Sequence, residues 1–228
     1  MSTSILIVKY VICYGAFLVV LFWSKYNGGN KLFDEKGPAH NTGALFASQI
    51  GGIIFLGIVP AFILDRGLSA MVFGRTVRDL FPVVVVILLF VAVILFARIQ
   101  SENLFQKLVI DQKTFKIFRS DFVTRYVLLR LLYLFAYEIF LRGYLLKDSV
   151  SYLGITYAVV LNVVLYTLLH APAGKKEMIA CIPFGAILCG VCIWVNAVWP
   201  AMLLHVALSM TYEINLVQKF SKPKNALI

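Results

Sequence analysis

Apolar residues run through long stretches of this chain, and polar residues gather between them. Residues 81–97 read FPVVVVILLFVAVILFA without a single charge. Stretches of about 17–22 such residues are long enough to cross the hydrocarbon core of a bilayer as helices. The pattern predicts seven of them, at roughly 4–23, 43–64, 81–97, 126–147, 154–170, 179–197 and 200–217. The fourth is interrupted by Arg130, Glu138 and Arg142, and the seventh by His205 and Glu213. No basic residue precedes the first run, and Ala16 is followed by further apolar sequence instead of a cleavage site. It therefore reads as a retained span, not a signal peptide. Lys9, inside it, is expected to snorkel or to face the bundle.

Composition agrees with this pattern. Of 228 residues, 61% are hydrophobic and 14% charged, which leaves too little polar surface to cover a water-facing globule. Eighteen Phe, eleven Tyr and the aliphatic runs exclude a disordered chain. Only four cysteines in a chain of this size exclude a secreted disulfide scaffold. The expected fold class is all-α, a polytopic transmembrane helix bundle forming one domain over 1–228. No internal repeat or low-complexity tract divides it.

The formal net charge of +10 suggests nucleic acid at first sight. The basic residues lie in short loops, where they face the anionic lipid of a bilayer, and no nucleic-acid partner is expected. Their distribution also gives an orientation. One side holds Arg66, Arg75, Arg78 and Lys147. The other holds Lys25, Lys31, Lys36, the group from Arg98 to Arg125, Lys175, Lys176, Lys219, Lys222 and Lys224. The richer side is expected in the cytoplasm, which puts the N-terminus outside and the C-terminus inside a multi-pass cell membrane. Opposite termini require an odd number of spans, as seven is.

Between the third and fourth spans, Leu108, Phe115, Phe118 and Phe122 recur at near-helical spacing among lysines. That predicts a basic amphipathic helix on the membrane surface, although a solvated connector fits the same residues. Gly43, Ala47 and Gly51 form a small-residue stripe suited to close helix packing. Cys13, Cys181, Cys189 and Cys192 all fall in apolar segments. The C-x-x-C spacing of the last two reads as small core residues, with a metal or redox role as the alternative.

Ionisable residues inside spans are costly, so each is a candidate for function. Three groups stand out. In YEIFLRG, Glu138 and Arg142 are four apart and share a helix face, beside Tyr137. In YTLLHAP, Tyr166 and His170 share a face, Asn162 lies one turn back, and Pro172 ends the helix near His170. In HVALS, His205 and Ser209 begin a polar stripe that continues to Glu213. Singly these read as an ion pair, a capping histidine and polar glue between helices. Jointly, a carboxylate and two imidazoles on three spans suffice for water activation, or for a metal such as zinc held by His170, His205 and Glu138.

These residues resemble the CAAX protease and bacteriocin-processing family, also called CPBP or Abi. That family comprises polytopic intramembrane proteases, with the pattern E-E-x-x-x-R, then F-x-x-x-H, then H-x-x-x-N or D. The resemblance covers about 120–217 and implies a catalytic core there. It also implies a membrane-associated peptide or protein as substrate and a glutamate-type, metal-independent hydrolysis. By motif position, Glu138 matches the second glutamate, Arg142 the arginine, His170 the histidine that activates water with the first glutamate, and His205 the histidine that stabilises the oxyanion. Two positions depart from the pattern. Tyr137 stands where the first glutamate would be, and a phenol with a pKa near 10 is a poor general base at neutral pH. Ser209 replaces the Asn or Asp and can still donate a hydrogen bond. Neighbouring helix residues point about 100° apart, so Glu138 takes the place of its neighbour only through a one-residue shift or a local bulge.

Three functions follow. The first is an intramembrane endopeptidase using Glu138, His170, His205 and Ser209, supported by Arg142, Tyr137, Tyr166 and Asn162. The second is a catalytically silent protein of the same fold acting as a binding, immunity or scaffold partner. The third is a metal- or proton-handling membrane protein.

Overall fold

In the computed structural model, the described residues are 3–29, 31–34, 37–64, 72, 74, 80–108 and 120–221. Among them, helices occupy all seven predicted places. The first is α1 (Thr3–Tyr26). The second runs from α2 (Thr42–Gly52) through a π turn (Ile53–Ile58) into α3 (Val59–Ile63). The third is α4 (Leu80–Lys107). The fourth runs from α5 (Ser120–Glu138) through a second π segment (Ile139–Leu145) into α6 (Leu146–Leu153). Then come α7 (Ile155–Leu169), α8 (Lys175–Val195) and α9 (Trp199–Ser221). The described strands are β1 (Phe33–Asp34) and β2 (Gly37–Pro38), a two-residue antiparallel pair between α1 and α2. The protein is an all-α helical membrane bundle.

Four of the helical runs are long and apolar enough to cross a membrane: Thr3–Tyr26, Thr42–Ile63, Leu80–Lys107 and Lys175–Val195. Their outward faces carry large apolar side chains, among them Ile5, Val11 and Phe22 on α1 and Phe81, Leu88 and Phe96 on α4. Water would reject that surface and hydrocarbon accepts it. The run through α5 is different. Every residue from 136 to 146 is buried except the half-buried Ile139. A helix enclosed on all sides is the centre of its bundle, and this one carries the Glu138–Arg142 motif.

Several boundaries differ from expectation: the fourth run extends over Ser120–Leu153 where 126–147 was read, and α8 starts at Lys175 where 179 was read. Helix α4 continues ten residues past the end read at 97, because ArgIleGlnSerGluAsn is compatible with helix and its amphipathic end packs onto α9. Ser101 accepts from Asn215, 2.5 Å away, and Lys219 pairs with Glu102. The expected surface helix falls largely on 109–119, which lie outside the described residues. Of its apolar positions, Phe122 is on α5 and packs against Phe46 and Tyr126, with ring centroids at 5.5 and 6.2 Å.

One end of the bundle is tied together by the segments that sequence charge assigned to a common side. Lys31 pairs with Glu177 at the start of α8. Phe220 at the end of α9 packs on Phe33 and Phe105, with ring centroids at 5.4 and 4.9 Å. Inside α1, Lys9 turns into the bundle and donates to the Ile63 carbonyl at 2.5 Å, at the end of α3 where helix carbonyls lack intrahelical partners. In the small-residue stripe, a Cβ on Gly51 would lie 2.8 Å from Val20 of α1, whereas one on Gly43 would meet only Asn41 of its own cap. The close approach is therefore made at Gly51 and its neighbour Gly52.

Candidate active site

The π segment begins at the residue after Glu138. A π turn inserts one residue into an α-helix and re-aims the side chains around it. The widened turn leaves the Leu141 carbonyl accepting from the Leu146 amide, and also from the Asn162 side chain at 2.7 Å. Asn162 is held in turn by the Cys189 thiol at 3.2 Å. Asn162 thus satisfies the backbone at the bulge instead of reaching the histidines, and it joins α7 and α8 to the segment that bears the motif.

Glu138 is fully buried. Its Oε1 lies 2.5 Å from His205 Nδ1, and its Oε2 lies 3.3 Å from Arg142 Nη1. The Arg142 guanidinium also stacks over the Tyr166 ring, 4.5 Å from the centroid. A carboxylate can remain charged in an apolar interior only with such partners. Glu138 therefore makes the i, i+4 pair read from sequence and in addition holds the imidazole of α9. The acceptor on Nδ1 is a carboxylate, so that nitrogen carries the proton and Nε2 is left to face other chemistry.

His170 is positioned separately. It is the residue at which α7 ends, and its Nδ1 donates to the Tyr166 carbonyl at 2.9 Å. A carbonyl only accepts, so here too Nε2 is the nitrogen left with its lone pair. Its ring packs 4.6 Å from the Tyr166 ring.

Tyr137 lies between the two histidines. Its ring makes edge contacts with His205 at 5.6 Å, His170 at 6.2 Å, Tyr166 at 5.9 Å and Tyr133 at 5.7 Å. Tyr166 likewise contacts both imidazoles, with His205 at 6.0 Å. Tyr137 is 1% exposed, and its hydroxyl is a buried group without a hydrogen-bond partner among the described residues.

The polar stripe on α9 divides. His205 turns to Glu138, while Ser209 and Glu213 turn to Arg130 of α5. Arg130 donates to Ser209 Oγ at 2.9 Å and lies 3.0 Å from Glu213 Oε1, and Ser209 donates to Glu213 at 3.4 Å. The Arg130 guanidinium also stands 5.4 Å from the Tyr133 ring. The structure thus brings together Glu138, Arg142, His205, His170, Tyr137 and Tyr166, and it places Ser209 in a neighbouring ionic cluster. Reading the motifs alone left Arg130 without a role. The available signal was charge balance: two cations within one apolar run, Arg130 and Arg142, call for two anions, and Glu138 lies close to only one of them.

Among the described residues, no three of His, Cys, Asp and Glu are grouped as a bound metal ion would need. His170, His205 and Glu138 do not form such a set, because Glu138 is held by Arg142 and His170 is turned onto a backbone carbonyl. The residues present therefore do not fit a resident zinc ion.

No curated protein and no solved structure gives a match to this chain. A family model does match, over the segment that holds all three motifs and both ionic clusters except Glu213. Residues 119–211 are similar to the Rce1-like family, described as type II CAAX prenyl endopeptidase Rce1-like, which agrees with the family the three motifs resembled.

Proposed function

We propose that this protein is an intramembrane endopeptidase that hydrolyses a membrane-embedded peptide or protein. One observation carries the reading: a carboxylate-backed imidazole, His205, and a second oriented imidazole, His170, both pack against the rings of Tyr137 and Tyr166. Each has its Nδ1 occupied, which leaves Nε2 on both imidazoles available to a water. His205 is the base of the pair. The imidazolium formed on it faces Glu138 at 2.5 Å, whereas His170 has only a backbone carbonyl behind it. His170 Nε2 orients the water through its other O–H. The water oxygen bonds to the scissile carbonyl carbon as its proton passes to His205 Nε2. Collapse of the tetrahedral intermediate breaks the C–N bond, and the same proton leaves with the amine. Arg142 keeps Glu138 ionised and aimed.

The second reading, a silent protein that binds a membrane peptide or partner through the same fold, is favoured by Tyr137, which has no carboxylate to offer. We further infer that the end carrying Lys31, Glu177, Glu102 and Lys219 is cytoplasmic, with the N-terminus outside.

The deciding experiment compares cells expressing wild type, His170→Ala/His205→Ala and Tyr137→Glu at matched membrane levels, read by mass spectrometry of membrane-protein termini. New termini in wild type that vanish in the double variant establish the peptidase. New termini only with Tyr137→Glu overturn it in favour of the silent reading.

A further inference from the structure

Tyr137 occupies the position where the resembled family has a carboxylate, and its hydroxyl is the unsatisfied buried group that lies against both imidazole rings. It is enclosed at 1% exposure among four aromatic rings, two of them the imidazoles, and it has no hydrogen-bond partner among the described residues. Buried hydroxyls are almost always satisfied, because burial removes their bonds to water. A phenol kept unsatisfied beside two imidazoles is a donor awaiting an acceptor. Ser209, the other candidate donor at this end of α9, is already committed: its proton is given to Glu213 and its oxygen receives Arg130.

We propose that the Tyr137 hydroxyl is the oxyanion donor of the site, binding the oxygen of the scissile carbonyl. This rests on the peptidase reading and assigns the substrate atom that Tyr137 touches. As the water oxygen bonds to the carbonyl carbon, the carbon–oxygen π pair moves onto the oxygen, and the water's proton goes to His205 Nε2. The Tyr137 O–H donates to the developing alkoxide and keeps its own proton. When the alkoxide pair re-forms the carbonyl, the C–N bond breaks and the His205 proton goes to the leaving nitrogen. A donor used mainly in the transition state acts on kcat and leaves substrate binding nearly unchanged. The departure from the family pattern then replaces a base by an electrophile, and the base is supplied by His205 with Glu138 behind it.

The test is Tyr137→Phe, which removes the hydroxyl and retains the ring that packs on four neighbours. Purified wild type and variant in proteoliposomes are given a peptide carrying a cleavage site found from membrane termini. A peptide aldehyde of that sequence, whose hydrated or attacked form mimics the intermediate, is used as inhibitor. The expected result has three parts: kcat about 100-fold lower at similar KM, weaker inhibition by the aldehyde, and a melting temperature unchanged or raised. Deleting an unsatisfied hydroxyl should not destabilise, whereas deleting a structural one would. Unchanged kcat in Tyr137→Phe with an active wild type overturns this inference and leaves the peptidase reading standing. Lost activity with a clear drop in melting temperature also overturns it, in favour of a structural tyrosine. Cleavage by Tyr137→Glu with none by wild type overturns both.

Discussion

Glu138 and His205 stand 67 residues apart in sequence and 2.5 Å apart in space. The same carboxylate holds Arg142, so one buried anion serves an arginine on its own helical run and an imidazole on α9. Neither contact alone accounts for the arrangement. Arg142 makes the charge tolerable inside the bundle, and His205 gives that charge a chemical use.

Removing one partner of this pair leaves an uncompensated charge in an apolar interior. Glu138→Gln or Arg142→Met alone is expected to cost about 3–5 kcal/mol of stability. Glu138→Gln with Arg142→Met should recover much of that, because the replacement carries no unpaired charge. Unfolding of the four proteins in detergent measures the coupling as a double-mutant cycle. Additive losses would show that the two side chains do not interact.

Ser209 occupies a motif position, yet its hydroxyl is engaged by Arg130 and Glu213. Ser209→Ala is therefore expected to keep kcat/KM within about tenfold of wild type, short of the 10²–10³-fold loss of an oxyanion donor. His205→Ala should fall to background. A Ser209→Ala loss as large as that of His205→Ala would return the serine to the chemistry.

The places of the helices were legible because hydrocarbon demands long apolar runs, and little else in this sequence could produce FPVVVVILLFVAVILFA. The pairing of Glu138 with Arg142 was legible from helical spacing. The contact of Glu138 with His205 was not, because it depends on how α9 packs against α5. The need for a bulge near Glu138 could be argued from the angle between adjacent residues, but no residue in IFLRGYL announces a seven-residue π segment. Asn162 was singled out for its place one turn from Tyr166, while its task is set by a carbonyl on another helix. The division of the α9 stripe into two clusters was likewise hidden, since spacing shows which residues share a face and not which partner each one meets.

Gly185 of α8 stands directly against the site. A Cβ there would lie 2.9 Å from Cδ1 of Tyr166, the ring that packs on His170 and under Arg142. Gly185→Ala must displace that ring, at about 1–3 kcal/mol if the helices do not part. Gly190 on the same helix has open space at its Cβ position, so Gly190→Ala is the control for helix propensity. Cleavage is expected to fall in the first and hold in the second. Equal effects would show that Tyr166 does not need its present position.

Helix α7 decides whether the chain crosses the membrane seven times. Its 15 residues span about 22 Å at 1.5 Å per residue, against a hydrocarbon core of about 30 Å. It therefore crosses only if the bilayer thins or the flanking turns enter it. The proposed orientation calls for a crossing, because it assigns Lys175 to the lysine-rich side and Lys147 to the other. The four native cysteines are buried, so added cysteines can be read against a low background. Ser151→Cys and Lys175→Cys replace exposed residues on either side of α7. A membrane-impermeant maleimide is expected to label Ser151→Cys in intact cells and Lys175→Cys in inverted vesicles. Labelling of both from one side would make α7 a re-entrant helix. His170 would then reach the site from the same surface as Ser151, and the N-terminus and C-terminus would share a side.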